Sequence, residues 1–475
     1  MSIGRAIVSS VVALSLVACG GGGSGSGGGG PIGGGGGGTG GGGTCSLSAR
    51  QDWVLSQINE FYLFPTLVDT TVNKAAYNDV QSYIDALVAP ARAQSRDRFF
   101  TYITSIAEEN ALINSGSSAG FGIRLAYDTT NNRVFVVEAY ENAPAFAQGF
   151  DRGTEILAIN GASVSNLMST GGPQAVIDAL GPSTAGLSRS FSIRSAAGVT
   201  TNVSVAKAEY ELDPVSDRYG VKVLDDGGKK VGYINLRTFI VNSASQQLRD
   251  AVLQLRNQGV TEVILDFRYN GGGLVSVAEL LGDLLGADKV GQVFSRTTFR
   301  QSLSSNNETK NFETQAQAIA ATKIAVIGTR STASASELVA NSFIPYLGNN
   351  TALIGSNTFG KPVGQIARDR DACDDRLRVV AFQTENSAGG SNYFTGLATA
   401  YTRTCRADDD IFTQLGDPNE ASVKAALDFL GGRACTAISS SGEQGVQSAR
   451  GVSADKILMQ PQRPTAAQYE IPGLF

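Results

Sequence analysis

The chain reads as a multidomain α/β protein, on three observations. Beyond Pro214, apolar runs of strand length alternate with stretches of helical spacing, the pattern of a domain whose strands pair at least partly in parallel. Between residues 117 and 207 the apolar residues alternate around glycine turns instead, as in a small β domain. Ahead of both, from Cys45 to about Gly116, Trp53, Leu55, Ile58, Phe61 and Tyr62 recur mostly at three- and four-residue intervals, and Tyr83, Ile84, Leu87 and Val88 repeat the habit. That spacing predicts a small N-terminal helical domain over 45–116 with an aromatic core stripe. A chain of 475 residues has room for about two or three such units.

The extreme N-terminus is set apart from these units. Arg5 precedes a short apolar run, Ala6 to Leu14, and then Leu16-Val17-Ala18-Cys19-Gly20. A positive start, an apolar stretch too short to span a bilayer and a small-residue cleavage site make a secretory signal, predicted over 1–18. The cysteine after Leu-Val-Ala resembles a bacterial lipoprotein signal, which implies cleavage before Cys19, lipid on its thiol, and a place on the periplasmic side of the cell envelope. By the same analogy, Gly20 in the next position points to the outer membrane rather than the inner. Residues 20–44 follow, with 19 glycines among 25 residues. Such a coil spans about 25 to 30 Å root-mean-square, so residues 19–44 read as a loose linker between anchor and folded body.

Composition removes other functions. With Lys+Arg 38 against Asp+Glu 43 and a net charge of -5, the chain lacks the basic excess of a nucleic-acid binder. Its 42% hydrophobic and 17% charged residues describe a globular protein with cores to bury. Apart from Cys19, four cysteines remain, Cys45, Cys373, Cys405 and Cys435, an even number suited to disulfides in an oxidising compartment and open to three pairings. Cys373 with Cys405 is the favoured pair, because they bracket one segment of one predicted domain. Their spacings are not those of a zinc site, and neither metal nor cofactor is expected.

The elements follow in order. Gly120-Phe121-Gly122-Ile123 precedes the alternating Arg133 to Val137, then Asn142-Ala143-Pro144-Ala145, then Ile156-Leu157-Ala158-Ile159-Asn160-Gly161. A glycine-flanked loop ahead of a strand exposes backbone N–H groups fit for a carboxylate, and the strand edge beside it can accept a peptide as an added strand. These pieces in this order resemble a PDZ domain over 117–207, whose peptide-binding loop would be Gly120, Phe121, Gly122 and Ile123. Over 208–435, strands are predicted at Val231 to Leu236, Val263 to Phe267, Lys323 to Gly328 and Leu377 to Phe382. Helices are predicted at Ser243 to Gln258, Val275 to Leu285, Ser336 to Tyr346 and Ala421 to Leu430. Rising Ser, Gly and Gln content marks 436–475 as a disordered tail, although it ends in the apolar Ile471-Pro472-Gly473-Leu474-Phe475, the kind of end a PDZ-like groove takes.

One stretch carries chemistry. The chain has His 0, so a serine nucleophile must pass its proton to something other than imidazole. Ser334 sits between two alanines where a strand gives way to a helix, so a substrate carbonyl can approach and the Ala335 amide can face a developing oxyanion. The glycine turn Gly271-Gly272-Gly273 offers a second donor from Gly272 or Gly273, with Gly272 preferred. Lys361, between Gly360 and Pro362 and near Phe359, can act as base if apolar burial lowers its pKa. Pro362 and Gly364 disfavour a helix from Lys361 to Gln365, which predicts a strand or turn there. Asp266, ending an apolar strand, reads as a structural acceptor rather than a catalytic acid.

Thr332-Ala333-Ser334-Ala335-Ser336-Glu337, Thr358-Phe359-Gly360-Lys361 with Gln365 four residues on, Asp266 to Gly273, and a PDZ-like segment ahead of them together resemble the C-terminal processing, or tail-specific, serine peptidases. The resemblance covers roughly Gly120 to Leu430, and Thr332 departs from it where the family has serine. It implies a ClpP/crotonase-like catalytic domain, Ser334 as nucleophile, Lys361 as general base and Gln365 as the residue that orients it. It further implies an acyl-enzyme route and polypeptide substrates met through their C-terminal segments. The other readings are a peptide-capturing scaffold that no longer cleaves, and a crotonase-like acyl-CoA enzyme, which the secretory signal disfavours.

Overall fold

Isoleucine, valine and leucine alternate along the central strands so that each strand presents an apolar side chain to both faces of its sheet. The computed structural model of the protein describes residues 43–439 and 457–475. The signal expected over 1–18, the lipidation site Cys19 and nearly all of the 19–44 linker lie outside the described residues. Six strands form the central sheet in the order Val221–Asp226, Lys229–Asn235, Glu262–Asp266, Lys323–Gly328, Thr351–Gly355 and Thr404–Arg406. The first pair is antiparallel and the rest are parallel. Val263 and Leu265 pack with Ile324 and Val326 beneath the helices Ala244–Asn257, Val275–Leu285 and Ala335–Leu347. Their neighbours Ile264, Ala325 and Ile327 turn to the other face, against Val423, Leu427 and Leu430 of the helix Ala421–Leu430. A period of two along each strand is what a sheet covered on both faces requires.

A second, antiparallel sheet leans on this domain. Its path runs Tyr102–Ser105, Asp375–Glu385, Val293–Phe299 and Glu308–Asn311, with Val363–Arg370 also pairing Asp375–Glu385. The helices Leu47–Phe61 and Val80–Leu87 cover it, and Val54, Ile58, Tyr62, Ile84 and Leu87 share one core with Val363, Leu377, Val379 and Val380. The N-terminal helical domain expected over 45–116 is thereby corrected. Its helices exist, but their apolar stripes have too little surface of their own to bury and close on strands from some 300 residues downstream.

Residues 117–207 build the third layer. Ile123–Asp128, Arg133–Ala139, Glu155–Ile159, Ser188–Arg194 and Thr200–Ala206 pair antiparallel in that order, and the helix Val164–Leu180 packs on them. Ser117–Gly120 and Ala208–Glu211 pair as the chain enters and leaves this layer. The sheet gains an outer strand from the far end of the chain, Ile457–Leu458 against Ala126 and Tyr127. The tail expected to be disordered over 436–475 is corrected over its described part, because Ile471, Leu474 and Phe475 are buried and burial of that much apolar surface offsets the ordering entropy.

The cysteine pairing is corrected too. The disulfides are Cys45–Cys373 and Cys405–Cys435, each with Cα atoms 5.4 Å apart. Cys405 lies on the edge strand Thr404–Arg406 of the central sheet, whereas Cys373 lies in the turn between Val363–Arg370 and Asp375–Glu385 of the other sheet. The two residues expected to pair therefore belong to different sheets.

Candidate active site

The strand Lys323–Gly328 ends at the top of the parallel sheet, and the chain turns through residues 329–334 into the helix Ala335–Leu347. Ser334 is the residue at the corner. Its backbone adopts φ 53° and ψ -117°, a conformation that costs a non-glycine residue about 1 to 3 kcal/mol and persists only where its surroundings enforce it. They do so through Glu337, one turn into the helix and fully buried. Its Oε2 accepts the Ser334 N–H at 3.2 Å and the Lys361 N–H at 2.7 Å, while Oε1 accepts the Thr358 hydroxyl at 2.5 Å and the Gly360 N–H at 2.8 Å. One carboxylate thus holds the serine corner and the lysine loop together. Burial pushes its pKa up to about 7 against the pull of those donors.

Lys361 stands just before the strand Val363–Arg370, which carries Gln365, as the proline and glycine of that stretch predict. A bulge between Gly364 and Gln365 and the absence of a side chain at Gly364, where a Cβ would lie 2.1 Å from the Phe382 ring, let the glutamine reach back. Lys361 Nζ donates to Gln365 Oε1 at 2.8 Å, and Gln365 Nε2 donates to the Phe100 carbonyl, which fixes the oxygen of the amide toward the lysine. The ammonium also lies 4.9 Å from the centre of the Phe100 ring. Burial lowers the Lys361 pKa, and the nearby carboxylates of Glu470 and Asp97 oppose that shift. Among the described residues its hydrogen bond runs to Gln365 and not to Ser334 Oγ, so Ser334 and Lys361 are not hydrogen-bonded in this state.

The expected oxyanion donors divide. Ala335 is the first residue of its helix, so its N–H has no acceptor within the helix. Gly272 N–H donates to Asn270 Oδ1 at 2.9 Å. The Gly272 amide is therefore engaged locally here, but its position is close: a Cβ at Gly272 would stand 2.7 Å from Ser334 Cβ and 3.0 Å from Ala335 N. With φ 113° as well, only glycine fits there. Ser336, the other serine of the turn, is fully buried with its hydroxyl donated to the Asn270 carbonyl at 3.2 Å. Asp266 behaves as the structural acceptor expected of it, bound by Arg268 at 2.9 Å and by the Tyr233 hydroxyl at 2.8 Å.

Gly120 to Ile123 form a loop whose Gly122 and Ile123 amides donate to the Phe475 carbonyl oxygen at 2.9 and 3.2 Å. All four of its residues are brought together with the end of the described chain. Phe475 is 3% exposed and its ring lies in a core with Phe121, Ile123, Val176 and Leu180.

Several participants lie outside the expected set. Glu337 had a sequence signal, since Ser-x-x-Glu at the head of an apolar run is a capping box. Arg98 had none. Its Nη2 donates to the carbonyls of Phe359 (2.5 Å), Gly360 (2.8 Å) and Phe394 (3.2 Å), which clamps the lysine loop from the N-terminal region. Arg124, fully buried in the strand Ile123–Asp128, donates to the Tyr269 carbonyl at 2.6 Å and the Arg237 carbonyl at 2.9 Å. That bond ties the β layer to the residue just before Asn270 and the glycine turn. A cavity of about 910 Å³ opens beside Lys361 and Ala333.

Residues 230–399 match the profile of peptidase family S41. The "Probable CtpA-like serine protease" of Staphylococcus aureus is 27% identical over 279 residues, which is 58% of this chain and 51% of that protein. The carboxyl-terminal-processing protease of Picosynechococcus sp. is 27% identical over 248 residues, 52% of this chain and 55% of the relative. The chain thus spans about half the length of these curated relatives. A solved "Putative S41 protease" of Bacteroides fragilis superposes with TM-score 0.63 at 23% identity, covering 80% of this chain and 97% of that one, and so shares the fold.

Proposed function

We propose, from the premise that residues 230–399 belong to peptidase family S41, that the protein is a serine endopeptidase of the C-terminal processing type working through a Ser334/Lys361 dyad. The observation that carries this reading is the Lys361–Gln365 contact. A glutamine carbonyl fixed by its own bond to Phe100 orients a lysine whose pKa is lowered by burial, beside a serine held at a strained corner.

The neutral Lys361 amine takes the Ser334 proton as Oγ attacks the scissile carbonyl. The oxyanion is met by the Ala335 N–H and by a donor from the turn at Gly272, whose amide must leave Asn270 Oδ1 to serve. The lysine then gives its proton to the departing amine, water enters, and the same base activates it to hydrolyse the acyl-enzyme. Lys361 must swing from Gln365 toward Ser334 to begin, a tightening common between resting and substrate-bound sites. Residues 117–207 with the loop Gly120 to Ile123 act as the PDZ domain that receives polypeptide ends, and residues 208–435 as the ClpP/crotonase-like catalytic domain. Lipid on Cys19 anchors the protein to the envelope membrane; metabolic labelling with an alkynyl fatty acid, lost in Cys19→Ala, tests that part.

The test of the dyad is turnover of an unfolded polypeptide together with intact-mass detection of an acyl-enzyme. Ser334→Ala and Lys361→Ala should each abolish both while melting at the wild-type temperature. Cleavage retained by either variant defeats the assignment. A scaffold without catalysis is the second reading, favoured by the missing Ser334–Lys361 bond, and labelling of Ser334 by a fluorophosphonate probe would argue against it.

A further inference from the structure

The segment 457–475 binds the β layer as an added strand and passes over the candidate active site on the way. Met459 N–H donates to the Leu125 carbonyl at 2.8 Å, Leu125 N–H to the Gly473 carbonyl at 2.8 Å, and Phe475 N–H to the Ile123 carbonyl at 2.9 Å. Leu474 bridges Arg124 in antiparallel sense. With the Phe475 carbonyl held by Gly122 and Ile123 amides, this is the hydrogen-bond pattern of strand addition to a sheet edge, ending in a nest of backbone donors. The Phe475 ring fills the apolar space between the strand Ile123–Asp128 and the helix Val164–Leu180, where a charged or short side chain would leave buried surface unsatisfied.

The same segment lies against the glycine turn. A Cβ at Gly271 would stand 2.8 Å from the Glu470 carbonyl and 3.0 Å from the Pro472 ring. The Glu470 carboxylate accepts the Tyr102 hydroxyl at 2.7 Å, and the Tyr469 and Tyr102 rings stack 3.8 Å apart. Tyr469, Glu470 and Pro472 share with Lys361 and Ala333 the lining of the 910 Å³ cavity. One stretch of chain therefore fills the groove and walls the approach to Ser334.

We propose that residues 469–475 hold this groove as an internal competitor that an incoming polypeptide segment must displace. Their place in the groove stands on geometry alone; the inhibition half rests on the peptidase reading above. Displacement lifts Phe475 from its pocket and draws Pro472 and Glu470 away from Gly271, so binding of an end and opening of the catalytic face are one event.

The test uses a fluorescent peptide of residues 466–475, with Ser334→Ala in every protein so that binding is read without cleavage. Phe475→Asp, and separately a chain ending at Ser439, should bind the peptide at least tenfold more tightly than the full chain. A peptide with aspartate for its last phenylalanine should bind none of them. Equal affinity across the three proteins overturns the proposal. So does loss of a cooperative melt in both altered chains, which makes the segment a structural strand. With Ser334 restored, Phe475→Asp should lower KM for an unfolded substrate severalfold at little change in kcat, and an unchanged KM refutes the competition. If no chain cleaves anything, the peptidase reading and the inhibition half fail, while the anisotropy result still decides who occupies the groove.

Discussion

The serine half and the lysine half of the site are built differently. Ser334 stands on structure close to it in sequence: a parallel strand ending at Gly328, a short turn, a helix beginning at Ala335, and a carboxylate three residues on that bonds its N–H. Lys361 stands on contributions from afar. Arg98 holds the carbonyls beside it, the Phe100 carbonyl orients its glutamine, and Glu470 sets part of its field. A serine at a strained corner needs dense local support, whereas a lysine whose pKa is lowered by burial needs an apolar wall, and Phe100 of the N-terminal region belongs to that wall. Glu337 is the point at which the halves meet.

This contrast can be broken in four ways, from the largest effect downward. Ser334→Ala and Lys361→Ala each remove a group of the proposed dyad and should cost about a thousandfold or more in turnover, with unfolding midpoints unchanged. Glu337→Ala strikes both halves, because it leaves the N–H groups of Ser334, Gly360 and Lys361 without their acceptor. It should destabilise the fold by about 1 to 3 kcal/mol per the cost of buried unpaired donors, read in urea titrations, and cut kcat by about a hundredfold through misplacement of the dyad. Arg98→Ala should touch only the lysine half. Turnover should fall about tenfold or more by the same positioning argument, and fluorophosphonate labelling of Ser334 should slow with it, while the urea midpoint stays at the wild-type value; loss of the fold would contradict this division.

The smallest effect is on pH. Burial lowers the Lys361 pKa below its ordinary 10.5, and in the proposed dyad the neutral amine is the active form, so kcat/KM should rise with pH through that pKa. The Glu470 carboxylate favours the ammonium. Glu470→Gln should therefore move the rise to lower pH, measured as the midpoint of the acid limb, and a shift upward would show that the carboxylate does not face the lysine.

The halves also differ in how far they could be read in advance. The turn around Ser334 and the helix after it were visible as a strand-length apolar run, small residues and a helical pattern, and the helices Val275–Leu285 and Ala421–Leu430 and the strand Lys323–Gly328 fall where the periodicity placed them. A strand or turn at Gln365 followed from Pro362 and Gly364. Arg98 and Phe100 were not visible, since nothing local in a polar-aromatic stretch records which carbonyl it will meet some 260 residues later. The pairing of Cys373 with Cys45 is illegible in the sequence for the same reason, as separation along the chain says little about neighbours across two sheets.

What the sequence by itself determined is local: the alternation that makes each strand two-faced, the small residues that let a corner form at Ser334, the glycines that expose backbone donors, and the want of histidine that excludes an imidazole partner for any serine. What only the tertiary structure decided is who meets whom. The N-terminal helices close on the antiparallel sheet instead of on themselves, and residues 457–475 leave a stretch that reads as polar tail to fill the groove at Gly122. Both follow from one physical fact. An amphipathic surface specifies that it must be covered, through its apolar area, but the partner is chosen by shape and hydrogen bonds that exist once the rest of the chain is in place.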